Sequence, residues 1–173
     1  MLQEPGCPFC RFLKEVQTVR LQSAREKEIR CLCNFHAWAL AAVQDAASAA
    51  KVFLRLIEEP VSASNKDSGC DLCRELVAEE DLRIREFLNC LEQKDVSHWL
   101  RTHAALCIPH GLKLRRQVPM SLTARIDAII ENYRERLAQE LLQLSREPET
   151  GRTGWGSLGR TAEFLVAQRG LHG

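Results

Sequence analysis

Apolar side chains recur at intervals of three and four residues along most of the chain, which is the pattern of amphipathic helices. The first such stripe predicts a helix over residues 9–30, the second a helix over 36–57, and the third a helix over 71–93. Residues 61–69 form a polar turn between the second and third stripes. Because no alternating strand pattern occurs, the predicted fold class is all-α.

The C-terminal part of the sequence predicts further helices. A short helix is expected over 98–106, and Pro109 suits the first turn of another. A long, charged helix with an apolar stripe follows over 121–144, and its period fits core packing or a short coiled-coil seam. Residues 147–158 are glycine-rich and predict a loop before a last short amphipathic helix.

A motif with metal-ligand spacing occurs twice in the chain. Each copy is a CxxC followed at a distance by LCxxH, and the copies comprise Cys7, Cys10, Cys33 and His36, then Cys70, Cys73, Cys107 and His110. The inner cysteines are separated by 22 residues in the first copy and 33 in the second. The short helix over 98–106 accounts for most of this difference.

The two halves of each motif suit one metal ion. A CxxC turn brings two sulfurs onto one ion, and residues three apart at the start of a helix lie on the same face. Each copy is therefore predicted to bind one Zn²⁺ through three thiolates and one imidazole, which joins its CxxC to its own CxxH. With four protein ligands no position stays open for substrate, so both zinc ions are expected to be structural and the protein non-enzymatic. An iron–sulfur cluster fits less well, because its ligands are usually all cysteine.

The duplication predicts three parts of the chain. Residues 1–63 form the first helical repeat, 64–120 the second repeat with the inserted short helix, and 121–173 the C-terminal helices that pack on the repeats or extend from them. The predicted architecture is thus two helical hairpins, each held by zinc, with a long and a short terminal helix.

Two cysteines and two histidines close to the motifs lie outside the duplicated pattern. Cys31 and Cys90 are interpreted as buried packing residues, with a zinc- or redox-responsive sensor using Cys31 as the alternative. His103 lies four residues before Cys107 and could replace His110 as a ligand, but surface positions are favoured for His98 and His103.

Composition narrows the possible partners and compartment. The 173 residues carry 24 Lys and Arg against 23 Asp and Glu, so net charge gives no attraction to nucleic acid or anionic membrane. The N-terminal segment lacks a secretory signal pattern and no stretch is apolar enough to span a membrane, so a reducing cytoplasm is expected. The eight cysteines could form four disulfides, but the repeated CxxH and the compartment argue against this.

Basic residues are concentrated in two places, 11–30 and 113–116, which keeps a nucleic-acid-binding regulator as an alternative. Glu15, Glu26 and Glu28 dilute the first of these places, and a solvated helix face is the simpler interpretation.

Four segments carry a resemblance: GCPFCRFL, LCNFHAWAL, LCIPHGLKL and GWGSLGRTAEFLVAQRG. Together they resemble an uncharacterised bacterial family of small cysteine- and histidine-rich helical proteins, over nearly the whole chain. The family's duplicated CxxC and LCxxH motifs fall on the eight candidate ligands named above, whereas Cys31 stands where a glycine is expected. The resemblance implies a helical fold, zinc binding and a bacterial cytosol. It implies nothing about an activity.

The leading hypothesis is a cytoplasmic, non-enzymatic, zinc-stabilised helical scaffold or adaptor whose surface binds a protein partner. The sequence contains no phosphate-binding loop, no pair of nucleophile and base, and no open-site zinc motif.

Overall fold

The computed structural model describes residues 6–24, 29–58, 69–91, 105–146 and 155–167. These ranges contain α1 (Pro8–Gln22), α2 (Asn34–Val43), α3 (Ala46–Glu58), α4 (Asp71–Leu91), α5 (Ile108–Arg115), α6 (Met120–Leu144) and α7 (Trp155–Val166). No strand occurs within them. The all-α prediction is confirmed.

The helices belong to two compact units. The first unit combines Met1–Arg11 with Leu82–His172, and the second unit comprises Phe12–Asp81. The boundaries fall inside α1 and α4, so the first turn of α1 and the last turns of α4 belong to the first unit. The ranges 1–63, 64–120 and 121–173 stay a prediction about the sequence repeats.

The core of the first unit is built around one long helix. Helix α6 buries Ile126, Ile129, Tyr133 and Leu137, which are three or four residues apart and so lie on one face. Helices α5 and α7 both pack on α6. The stripe therefore packs in the core, as the simpler sequence interpretation predicted.

Gly111 on α5 lies close to Ile130 on α6. A Cβ at this position would overlap the end of the Ile130 side chain. A side chain at this position would therefore have to displace the end of the Ile130 side chain.

The helices of the second unit differ from the predicted arrangement, first between residues 36 and 57. Residues 36–57 form two helices instead of one, because the chain breaks at Gln44 and Asp45. The Asp45 carboxylate accepts the Ser48 backbone N–H at 3.0 Å, which is the usual way to cap a helix start. The Gln44 side chain donates to the carbonyl oxygens of Leu21 and Gln22 at 2.7 and 2.9 Å.

These last contacts also explain why α1 ends early. The predicted helix over 9–30 stops at Gln22, where Gln44 satisfies carbonyl groups that have no partner within the helix. The buried residues Leu21 and Ala24 then join Leu40, Val52 and Leu72 in the core of the second unit.

Two predictions near the C-terminus are corrected in part. The loop predicted over 147–158 ends sooner, because α7 begins at Trp155. The helix predicted over 98–106 falls mostly outside the described residues, and its last two positions are not helical. In the described part of the chain, no helix has the length and apolar character needed to cross a membrane.

Candidate metal centres

The eight candidate ligands come together in two clusters, but not in the predicted combinations. The first cluster consists of Cys7, Cys10, Cys107 and His110, and the second cluster consists of Cys33, His36, Cys70 and Cys73. In each cluster the four candidate ligand atoms all lie within 4.8 Å of one another. Each cluster takes its CxxC from one copy and its CxxH from the other, so the prediction that each copy closes its own site is wrong.

The packing of α1 and α4 explains this exchange. In the first unit, the start of α1 meets the last turns of α4, where the rings of Phe9 and Phe87 lie 5.2 Å apart. In the second unit, the end of α1 meets the start of α4, where Arg20 Nε lies 3.1 Å from Glu75 Oε2. The 15 residues of α1 span about 22 Å and the 21 of α4 about 31 Å, so each helix carries the chain away from its own CxxC.

The first cluster has the dimensions of a tetrahedral zinc site. His110 Nδ1 lies 3.6 Å from Cys7 Sγ, 3.5 Å from Cys10 Sγ and 2.9 Å from Cys107 Sγ. The sulfurs of Cys10 and Cys107 are 3.7 Å apart. Tetrahedral zinc with ordinary bond lengths separates two sulfurs by about 3.8 Å and a sulfur from a nitrogen by about 3.6 Å. Three of these four distances lie close to those values.

The second cluster has nearly the same dimensions. His36 Nδ1 lies 3.3 Å from the sulfurs of Cys33 and Cys70 and 3.4 Å from that of Cys73. Cys33 and Cys73 place their sulfurs 3.7 Å apart. Both histidines thus direct Nδ1 toward the sulfurs, because each lies on the first turn of a helix that starts just after the cysteine of its CxxH.

The sulfur separations describe how the cysteines of each cluster are placed relative to disulfide geometry. A disulfide holds its sulfurs about 2.05 Å apart, far less than the 3.7 Å between Cys10 and Cys107 or between Cys33 and Cys73. All eight cysteines are free. The prediction that this chain does not rely on structural disulfides is consistent with these free thiols.

The electrostatics of each cluster favour a bound cation. Hydrogen bonds with Cys107 and Cys7, together with burial, raise the pKa of Cys10. Burial opposes ionisation of Cys7, but its hydrogen bonds with Cys10 and Cys107 outweigh burial and lower its pKa. In the second cluster, burial and the adjacent Cys70 raise the pKa of Cys73 to about 12. Three crowded thiols therefore do not all ionise near neutral pH unless a cation balances their charge.

Aromatic and helical neighbours enclose the first cluster. All four of its residues are at most 1% exposed. Phe9 stacks on the His110 imidazole with ring centroids 5.2 Å apart. From α7, Glu163 Oε1 accepts the Cys7 backbone N–H at 3.0 Å, and this bond holds the start of the CxxC in place.

The second cluster lies at an edge of its unit. Its His36 is fully buried and its Cys70 is 7% exposed, whereas Cys33 and Cys73 are only half-buried. Asp71 Oδ2 accepts the backbone N–H groups of Arg30 and Cys31 at 2.8 and 2.9 Å, and these bonds lower the pKa of Asp71 against the opposing effect of burial.

Sequence reasoning missed Phe9, Asp71 and Glu163 as supports of the clusters. Asp71 accepts N–H groups that lie 40 and 41 residues earlier in the chain, so its position in the first turn of α4 does not predict this contact. Glu163 lies 156 residues from its partner Cys7, and no local pattern announces that contact.

Of the four candidates outside the motifs, two cysteines lie in the described part of the chain. Cys31 and Cys90 are exposed, so the prediction that they are buried packing residues is wrong. Other residues of the same chain segments make the apolar contacts with the core, so the side chains of Cys31 and Cys90 lie at the surface. His98 and His103 lie outside the described residues.

Two of the basic residues that suggested nucleic-acid binding have acidic partners. Arg20 lies 3.1 Å from Glu75 and 3.8 Å from Glu79, and Arg115 lies 3.2 Å from Asp127. These ion pairs reduce the positive field that a phosphate backbone would meet.

Comparison with protein-family models, with curated proteins and with solved structures finds no match for this chain. The resemblance to a bacterial family stays an expectation from the sequence.

Proposed function

We propose that this protein is a non-enzymatic helical scaffold or adaptor held together by two structural Zn²⁺ ions. The observation that carries the proposal is the convergence of all eight predicted ligands into two compact clusters of three thiols and one imidazole. The match between their spacings and those of tetrahedral zinc gives the metal its identity in this proposal.

A structural role follows from the number of ligands. Each cluster offers four protein ligands, which fill a tetrahedral zinc ion and leave no position for water or substrate. Each ion would join segments distant in sequence, since Cys10 and Cys107 are 97 residues apart and Cys33 and Cys73 are 40 apart. Closing such long loops stabilises a fold chiefly by restricting the unfolded chain.

The metal part of the proposal is tested by native mass spectrometry of protein purified without added zinc. Two zinc ions bound to a chain with eight reduced cysteines are the expected result. The ligand variants Cys10→Ser and Cys73→Ser should each lose one ion, and the control Cys90→Ser, which removes an exposed thiol, should keep both. Iron, or a metal-free folded chain, would contradict the proposal.

The adaptor part of the proposal draws on exposed apolar side chains in the second unit. Helix α2 contains no charged residue and leaves Trp38 73% exposed. Helix α3 exposes Leu54 and Ile57, which are three residues apart and share a helix face. Large exposed apolar side chains of this kind are typical of surfaces that bind another protein.

The proposed partner-binding surface is tested with the full chain carrying Trp38→Ala and Ile57→Ala together. Capture of a specific protein partner from bacterial cytoplasm should be lost while both zinc ions are kept. Met120→Ala is the matched control, because Met120 is 91% exposed but belongs to the first unit. Equal capture by the double variant and the control would count against this surface, and salt-sensitive capture of DNA or RNA would favour the nucleic-acid alternative.

A redox-responsive sensor is a second candidate, favoured by the exposure of Cys31. The Cys31 backbone is held against the start of α4, where its N–H is bonded to Asp71 and its carbonyl accepts the Asp71 N–H at 3.1 Å. If this thiol controls oxidation, peroxide should release zinc more slowly from Cys31→Ser than from Cys90→Ser. Equal release would remove the sensor hypothesis.

A further inference from the structure

The two clusters differ in how far their cysteine residues are buried. In the first cluster the three cysteines and the histidine are all buried. In the second cluster Cys33 and Cys73 are half-buried, and their sulfurs lie 3.7 Å apart. These two cysteines form the more exposed side of the four-residue cluster, whereas Cys70 and His36 form its buried side.

We propose that the second cluster exchanges its zinc with thiol-bearing acceptors, whereas the first cluster retains its zinc. This inference rests on the proposed zinc binding and adds an activity to one site. The acceptor is defined by its chemistry as a small thiol chelator or the thiols of a zinc-free protein.

The chemistry of the exchange requires an accessible sulfur. An entering thiol forms a new zinc–sulfur bond while the bond to Cys73 or Cys33 breaks. The proton of the entering thiol passes to the departing thiolate, so charge is conserved and no electron is transferred. Repetition at the second half-buried cysteine would leave the ion held by two acceptor thiolates together with Cys70 and His36. A third acceptor thiol would then replace Cys70 and pass its proton to the departing thiolate, and a fourth ligand from the acceptor or from water would replace the His36 imidazole, so that the ion leaves with the acceptor.

The surroundings of the first cluster oppose the same sequence of steps. Phe9 covers one face of His110, and Phe87 packs against Phe9. The side of Cys7 is closed by Glu163, which accepts the Cys7 N–H and lies within 3.4 Å of the position of a Cβ on Gly6. An entering ligand would reach this ion only after the helices of the first unit separate, which is a rarer opening than motion at an exposed edge.

The test follows the loss of zinc and the alkylation of cysteine in the same sample. The protein carries Cys31→Ser and Cys90→Ser, so that the exposed thiols outside the clusters do not consume reagent. Loaded protein is incubated with excess dithiothreitol as the thiol acceptor and EDTA as the final sink. At intervals, one aliquot goes to native mass spectrometry and another is passed through a desalting column, treated briefly with N-ethylmaleimide and mapped by peptide mass.

The expected result is a one-zinc species in which Cys33, Cys70 and Cys73 are alkylated and Cys7, Cys10 and Cys107 are not. The ion of the second cluster should leave at least about tenfold faster than the ion of the first cluster. Loss of both ions at one rate, or alkylation of the first cluster before the second, would overturn the inference.

Failure of the underlying proposal would look different, since protein without any zinc at the start contradicts the zinc sites themselves. If the double variant does not hold two ions, the same measurement on the natural sequence decides the question. Labels on Cys31 and Cys90 are then ignored, and the order of labelling among the six ligand cysteines is read directly.

Discussion

The two metal clusters use the same donors in the same geometry but have different surroundings. Both place a histidine Nδ1 within 3.6 Å of three sulfurs, on the first turn of a helix that starts just after the cysteine of its CxxH. The first cluster forms part of a core that also contains Ile84, Leu106 and Ile126. The second touches its core through Cys70, with Cys33 and Cys73 at the margin. Identical local motifs thus produce one enclosed site and one edge site.

The number of helices available to each unit accounts for this difference. In the first unit, α5, α6 and α7 pack on one another next to the first cluster, and α7 supplies Glu163. In the second unit, α2 follows the CxxH directly and α3 packs on α2, so no long helix comparable to α6 covers the second cluster among the described residues. The comparison predicts that disturbing the first cluster is more damaging than disturbing the second.

Removing one ligand from each cluster should give the largest effect. Cys107→Ser places a hydroxyl at a fully buried position and would remove the proposed ion from the core of the first unit, at a cost on the order of 5 kcal/mol in unfolding free energy. Cys73→Ser should cost clearly less, because the new hydroxyl is half-buried and can be hydrated. Thermal and urea unfolding measure the loss of stability in each variant, and zinc analysis of the same samples measures the loss of the ion. Equal losses would contradict the ranking of the clusters.

The aromatic ring beside each histidine offers a sharper comparison. Phe9 is 2% exposed and stacks on His110, so Phe9→Ala should lower the unfolding free energy by about 3–4 kcal/mol and speed zinc loss from the first cluster. Phe35 meets His36 edge to face at 5.3 Å and is half-buried, so Phe35→Ala should cost about 1–2 kcal/mol. Urea unfolding gives the energies and native mass spectrometry gives the zinc loss. A larger effect from Phe35→Ala would reverse the comparison.

The residue after each histidine should give the smallest effect. Gly111 follows His110, whereas Ala37 occupies the equivalent place after His36. Gly111→Ala would press on the flexible end of Ile130 and should cost about 1 kcal/mol, despite the better helix propensity of alanine. In a protein that already carries Ile130→Val, and so lacks the Cδ1 that the new methyl meets, Gly111→Ala should lower the unfolding free energy by less than it does in the natural sequence. A stabilised Gly111→Ala protein would show that the two helices can move apart freely.

Local sequence patterns were sufficient for much of the fold. The stripe over 71–93 corresponds to α4, which ends at Leu91, and the stripe over 121–144 corresponds to α6. The break at Asp45 was missed although aspartate is a favoured helix cap, because the apolar residues on both sides continue a plausible single stripe. The end of α1 depends on Gln44, which is 22 residues from the nearer carbonyl that it caps. Such a contact has no local signature.

By itself, the sequence determined which residues could act as ligands and that they lie on helix starts, since CxxC and CxxH spacing is a property of single helical turns. Only the tertiary structure decided which CxxC joins which CxxH. The predicted combination closes loops of 22 and 33 residues, whereas in the observed combination Cys10 and Cys107 are 97 residues apart and Cys33 and Cys73 are 40 apart. The entropic cost differs little between them, because it grows only slowly with loop length. The packing of the start of α1 on the end of α4 selects between them, and with that choice it also decides which cluster is enclosed and which lies at an edge.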